Sequence, residues 1–183
     1  MMREHQEAIR HFREAVGTGR SYTFAWLGLG WAYGEIDQTD EALWCIGKAI
    51  EDERNGEPGA SPGAGGHAAE CFRRRGDLDA ARRSALEGLA LSEQTDHMYR
   101  DTFRGVCLVS LGRTALRQGD IDAARAAFQQ AVLLFRGRPR ALGGGHMLVQ
   151  ALAGLAQSGL GAAMLEEALN LEKSRDGFNF NWL

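Results

Sequence analysis

Small and apolar residues recur along the chain at steps of four and three. The segments EHQEAIRHFREAV, QTDEALWCIGKAI, GDLDAARRSALEGL and GDIDAARAAFQQAV each open on polar or acidic residues. They then carry the triplets Ala8–Phe12–Ala15, Ala42–Ile46–Ala49, Ala81–Ala85–Gly88 and Ala124–Phe128–Ala131. Steps of four and three put each triplet on one face of a helix. AAMLEEALNLEK, around Leu165 and Ala168, is a weaker fifth copy. Ala8 to Ala42 spans 34 positions, Ala42 to Ala81 spans 39, and Ala81 to Ala124 spans 43.

The stretches between these copies also predict helices: SYTFAWLGLGWAYGE, GHAAECFRRR, DTFRGVCLVSLGRTALRQ and GHMLVQALAGLAQ. The whole chain is therefore expected to fold as antiparallel helix pairs in one domain, residues 1–183. Gly76-Asp77 and Gly119-Asp120 sit at two joints, as a helix-ending Gly followed by an Asp able to cap the next helix. Arg75-Gly76-Asp77 spells an adhesion tripeptide, but its recurrence as a joint makes it a turn. Asn55–Gly66, NGEPGASPGAGG, predicts a flexible loop. Around LSEQTDHMYRDTFRGV the longer period predicts lengthened helices with a turn near Gln94–His97. The tail 176–183 alternates Phe178, Phe180 and Trp182 with polar residues, at the period of a strand.

Trp26-x-x-Leu29-Gly30-x-x-Tyr33, continued by Ala42 and Ile46, resembles the tetratricopeptide repeat. Leu111-Gly112 with Ala124 and Phe128 repeats the pattern, Ala115 replacing the tyrosine. Ala68-Ala69 and Phe72 stand in for it one copy earlier. The proline that closes the family's repeat is missing from most copies. The resemblance covers about four and a half repeats, some extended. It implies an all-α, right-handed superhelix of antiparallel helix pairs. Gly30 would admit a neighbouring helix, with Trp26, Leu29 and Tyr33 packed around the contact. Gly28 and Gly34 do not follow from the pattern and are expected to weaken their helix.

The resemblance also implies partner binding on the inner face, lined by the first helix of each pair. Helical geometry puts Phe24, Leu27, Trp31 and Glu35 on that face, about a third of a turn from the packing stripe. The matching residues further on are Glu70, Arg73 and Arg74, then Val109, Arg113, Leu116 and Arg117, then His146 and Gln150. Such a face is aromatic at one end and basic in the middle, and suits a protein or peptide with an apolar anchor and acidic residues. The carboxylate clamp of some family members needs Lys and Asn where Leu27 and Trp31 stand, so that ligand is not implied.

Composition narrows the function further. The 183 residues hold 24 acidic and 21 basic side chains, a net charge of −3. That balance and the irregular period argue against helical repeats that read RNA one base at a time, so no nucleic-acid partner is expected. No apolar run approaches a membrane span and the N-terminus is charged, so a cytoplasmic protein without membrane contact is expected. Cys45, Cys71 and Cys107 are three and far apart, which argues against disulfides and zinc. The five histidines lack partners at ligand spacing, and Gly143-Gly144-Gly145-His146 lacks the strand and Lys-Ser/Thr of a phosphate loop. No metal, cofactor or enzymatic activity is expected.

Both termini read as incomplete. The chain opens on the second helix of a pair, so Ala8, Phe12 and Ala15 are expected to face an empty place. Ala8 and Phe12, with Phe178, Phe180 and Trp182, form the expected self-association surface of a homodimer. The expected function is a non-enzymatic binding scaffold. The alternative is the sensor region of a larger bacterial signalling or transcription regulator, whose repeats are similarly extended.

Overall fold

The computed structural model of the protein describes residues 2–18, 23–54, 61–136 and 144–175. The expected helix pairs form. A leading helix α1 (Met2–Gly17) is followed by α2 (Thr23–Glu35) with α3 (Thr39–Arg54), and α4 (Ser61–Arg75) with α5 (Leu78–Gln94). Then come α6 (Arg100–Gln118) with α7 (Ile121–Arg136), and α8 (Gly144–Leu155) with α9 (Ala162–Arg175). Each helix packs on the next, and α2, α4, α6 and α8 also pack in series. These four line one side of a superhelix, while α3, α5, α7 and α9 form the other. No strand occurs among the described residues.

The joints follow one backbone plan. Asp77 N–H donates to the Phe72 carbonyl and Asp120 N–H to that of Ala115, each at 3.0 Å. Gly76 and Gly119 adopt the left-handed conformation just before, at φ 85° and 79°. Asp77 and Asp120 then cap the next helix, each accepting a backbone N–H three residues on at 3.0 Å. The α2–α3 joint repeats the plan, with Gln38 N–H donating to the Tyr33 carbonyl at 3.0 Å. Asp37 there takes the glycine's place, at φ 61°. The turn expected near Gln94–His97 falls between α5 and α6.

Two apolar clusters hold the solenoid. One joins α1 to α4 through Leu29, Tyr33, Ala42, Ile46 and Cys71. The other joins α6 to α9 around Phe128, Phe135 and Leu152. Rings seated on glycines are the recurring device. Phe128 is fully buried between Gly112 of α6 and Gly154 of α8, and Phe135 fills the space over Gly105. Gly30 is in the expected close contact: a Cβ there would lie 2.9 Å from Ile46 Cγ1 and 3.0 Å from the Ala42 carbonyl oxygen.

Three expectations are corrected. The predicted loop at Asn55–Gly66 is a helix from Ser61 onward; positions 55–60 lie outside the described residues. Gly63, Gly65 and Gly66 belong to that helix because their neighbours leave no room for a side chain. A Cβ on Gly65 would lie 2.6 Å from the Ser84 carbonyl oxygen, and one on Gly66 3.0 Å from the Cys107 nitrogen. Gly28 also has a packing role: the Phe12 ring lies where its Cβ would be. For the same reason Ala8 and Phe12 do not face an empty place but are packed, partly buried, against the cluster around α2.

Candidate partner-binding face

Four helices position the face. Leu29, Gly30 and Tyr33 turn into the core, so Trp31 must project from α2 toward the solenoid's inner side. It is 40% exposed. The ring of His5 on α1 covers one edge of it, in a T-shaped contact with centroids 5.5 Å apart. Trp31, Glu35, His67, Glu70 and Arg74 line one shallow depression with only about 20 Å³ inside it. Such a volume holds a water molecule at most, so the surface can receive a partner's side chains laid across it but cannot enclose a small molecule.

Glu70 is the electrostatic centre. Its carboxylate accepts from Arg73 Nη2 at 2.5 Å and Nε at 2.8 Å, and from Arg74 Nε at 3.1 Å. Arg113 Nη1 approaches from α6 to 3.8 Å. Arg74 reaches back to α2 and its joint, pairing with Asp37 at 2.9 Å and Glu35 at 3.5 Å and donating to the Gly34 carbonyl. Burial pushes the Glu70 carboxyl up, but hydrogen bonds and charge from Arg73, with Arg113 and Arg74, outweigh it and hold it below the ordinary value. Burial also lowers the Arg113 pKa, against the pull of Glu70. Arg113 is the arginine with capacity to spare, because its one contact with Glu70 is long and its side chain is 36% exposed.

The other chemical groups here are quiet. Burial drives His67 down to about 4 despite the opposing charge of Glu70, so it is neutral near pH 7. His67 sits within α4, against the depression. Burial raises the Cys45 and Cys71 thiols to about 11 and that of Cys107 to about 12. None offers a thiolate at neutral pH. No cluster of three or more metal-ligating side chains exists among the described residues.

At its other end the face is closed by rings. Phe24 at the start of α2 meets His97, Tyr99 and Phe103, with centroids 5.4, 6.0 and 6.4 Å away. This contact bridges two pairs across α4, and glycine makes it possible. A Cβ on Gly63 would lie 2.7 Å from the Phe103 ring and 3.2 Å from Leu27. Phe24 keeps 39% of its surface. The sequence signal for this bridge is the glycine run at the start of α4 opposite two aromatic positions, although glycine and proline in that stretch also suit a loop.

The structure thus brings Trp31, Glu35, Glu70, Arg73, Arg74 and Arg113 together, with Phe24 at one edge. Leu27 and Val109 are not on the open face: Leu27 is buried between α2 and α4, and Val109 lies in the core cluster at 2% exposure. Arg117 is exposed at the end of α6, and Gln150 is half-buried on α8. His146 lies in α8, but its side chain is outside the described residues, as are Phe178, Phe180 and Trp182. No helix among the described residues is long and apolar enough to cross a membrane.

Comparison with known proteins agrees with this architecture. Residues 107–136 match the tetratricopeptide repeat family model. BtubC (BKLC) from P. vanneervenii superposes with a TM-score of 0.67 at 16% identity, over 97% of this chain and 77% of that one. MamA superposes with a TM-score of 0.53 at 18% identity, over 94% and 91%. The nearly identical TPR-like repeats of a Podosopora anserina protein give 0.54 at 17% identity, over 94% and 88%. At these identities the likeness is one of fold. No curated protein matches the sequence.

Proposed function

We propose that this solenoid of helix pairs, similar in fold to solved tetratricopeptide-repeat-like structures and matched by that family's model over residues 107–136, is a non-enzymatic scaffold. It receives a protein or peptide segment on the inner face of α2, α4 and α6. The observation that carries this is the half-exposed indole of Trp31 in one depression with Glu70, whose carboxylate also meets a loosely paired guanidinium, Arg113, 3.8 Å away on α6. An apolar side chain set against Trp31, followed by a carboxylate at Arg113, matches the face in both polarity and charge. Phe24 extends the apolar edge, and Arg117 lies one turn beyond Arg113 on the same helix face.

Selection of peptides from a random display library on the immobilised protein tests the proposal. Enriched peptides should pair an apolar or aromatic residue with Asp or Glu. Trp31→Ala and Arg113→Glu should each reduce their affinity at least tenfold, and more salt should weaken binding. Enrichment of peptides without acidic residues, or affinities indifferent to both substitutions, would overturn it.

A further inference from the structure

On the other side of α2 from Trp31, a larger groove runs between α1 and α3. Trp26 and Tyr33 form part of its floor, Arg13 stands on the α1 wall, and Asp40, Glu41 and Trp44 stand on the α3 wall. Its volume is about 590 Å³, within the roughly 300–1,000 Å³ range of ligand sites. The sequence pattern gives Trp26 a purely structural role, yet here it lines an open surface.

Three features set the chemistry of an occupant. Trp26 and Trp44 meet nearly at right angles, with centroids 5.3 Å apart and an interplanar angle of 83°, and Trp44 is 58% exposed. The corner leaves indole surface open to the groove. Next, the groove already holds one guanidinium on an aromatic face, Arg13 lying 5.7 Å from the Tyr33 centroid. Last, its acidic groups are unequally engaged. Asp40 is ion-paired with Arg75. Glu41 is exposed and has no ion-pair partner among the described residues. Glu41 and Trp44 are three apart on α3, so they are neighbours on one helix face.

An open carboxylate beside an open indole suits a flat cation. A guanidinium can stack on the ring while its N–H groups donate to the carboxylate, which a compact ammonium cannot do as well. We propose that this groove binds an arginine side chain of a basic peptide segment, with its guanidinium on Trp44 and paired to Glu41. The site is independent of the inner face in both position and sign of charge, so either can fail without the other.

The test is nuclear magnetic resonance of the ¹⁵N-labelled full chain, following the indole N–H signals during titration with acetyl-Gly-Arg-Leu-Arg-Gly-amide. The Trp44 and Trp26 signals should shift saturably. The analogue with glutamate in place of arginine should leave them unmoved. Trp44→Ala and Glu41→Gln, both at exposed positions and checked for native circular dichroism, should each weaken binding at least fivefold, and Trp31→Ala should not. Shifts that do not saturate, equal binding by the glutamate analogue, or affinity unchanged in both groove variants would overturn the proposal.

Discussion

The Phe12 ring of α1 occupies the space where a Cβ on Gly28 of α2 would stand, so the leading helix is docked through a missing side chain. Gly28→Ala would add helix propensity worth about 1 kcal/mol but must displace the ring, and overpacking of that kind costs about 1–3 kcal/mol. A net loss of about 1 kcal/mol is expected in urea denaturation. In a Phe12→Ala background the same substitution should become stabilising, because the ring it displaces is gone. Equal effects of Gly28→Ala in both backgrounds would show that the ring does not seat there.

Gly34, six residues on, should behave in the opposite way. The nearest atoms to a Cβ there are Cys71 Sγ at 3.6 Å and Ala42 Cβ at 4.0 Å, ordinary contact distances. Gly34→Ala should therefore raise the unfolding midpoint, with a gain of about 0.5–1 kcal/mol. Its carbonyl still accepts from Arg74, a bond the substitution leaves in place.

Asp37 holds a left-handed backbone where the equivalent joints use Gly76 and Gly119. That conformation costs a residue with a Cβ about 1–2 kcal/mol, and the carboxylate recovers part of it through Arg74 at 2.9 Å. Asp37→Ala keeps the strain and loses the pair, so a loss of about 1 kcal/mol is expected. Asp37→Gly loses the same exposed pair, worth about 0–1 kcal/mol, but removes the strain. It should match or exceed the wild type in thermal melts.

Much of the fold was legible because the repeat writes the same contacts several times. Gly30 and Gly112 each follow a leucine, Leu29 and Leu111, and Ala42 and Ala124 anchor equivalent faces of α3 and α7, so agreement between copies marks the pairs. Contacts that occur once were harder to read. The glycines of α4 look like a loop until Phe103 and Leu27 are seen lying over them. Leu27 shares a helical stripe with Trp31, but only the curvature that brings α2 against α4 decides which of the two is covered. The Glu70 cluster was half visible. The spacing put Glu70, Arg73 and Arg113 on one face, while their mutual pairing depends on how far α6 leans toward α4.

His67 should make stability fall with acid well before the carboxylates titrate. Its folded pKa is lowered to about 4 from 6.5, chiefly by burial. Between those values the unfolded chain binds a proton that the folded one does not. The stability linked to it is therefore complete above pH 6.5 and is lost as pH falls toward 4, at about 1.4 kcal/mol per unit. Urea denaturation at pH 6.5 and 5 should differ by about 2 kcal/mol through this residue. His67→Gln should flatten that slope whatever it does to absolute stability, and an unchanged slope would refute the assignment.

Glu70 is expected to be the costliest single charge to remove from the inner face. It is the shared counter-charge of Arg73, Arg74 and Arg113, and its side chain is only 18% exposed. Glu70→Gln preserves shape but leaves three guanidinium groups crowded together, and breaking a largely buried pair from one side costs about 3 kcal/mol. Arg113→Ala, whose approach to Glu70 is 3.8 Å, should cost under about 1 kcal/mol. The lowered Glu70 pKa adds a second signature. A depressed carboxyl contributes stability above its unfolded value of 4.5 and loses it as pH falls through the lower folded value. The wild type should therefore lose stability below pH 4.5 through this group, and Glu70→Gln should not. If Arg113→Ala proves the costlier substitution, Arg113 rather than Glu70 is the centre on which the face is built.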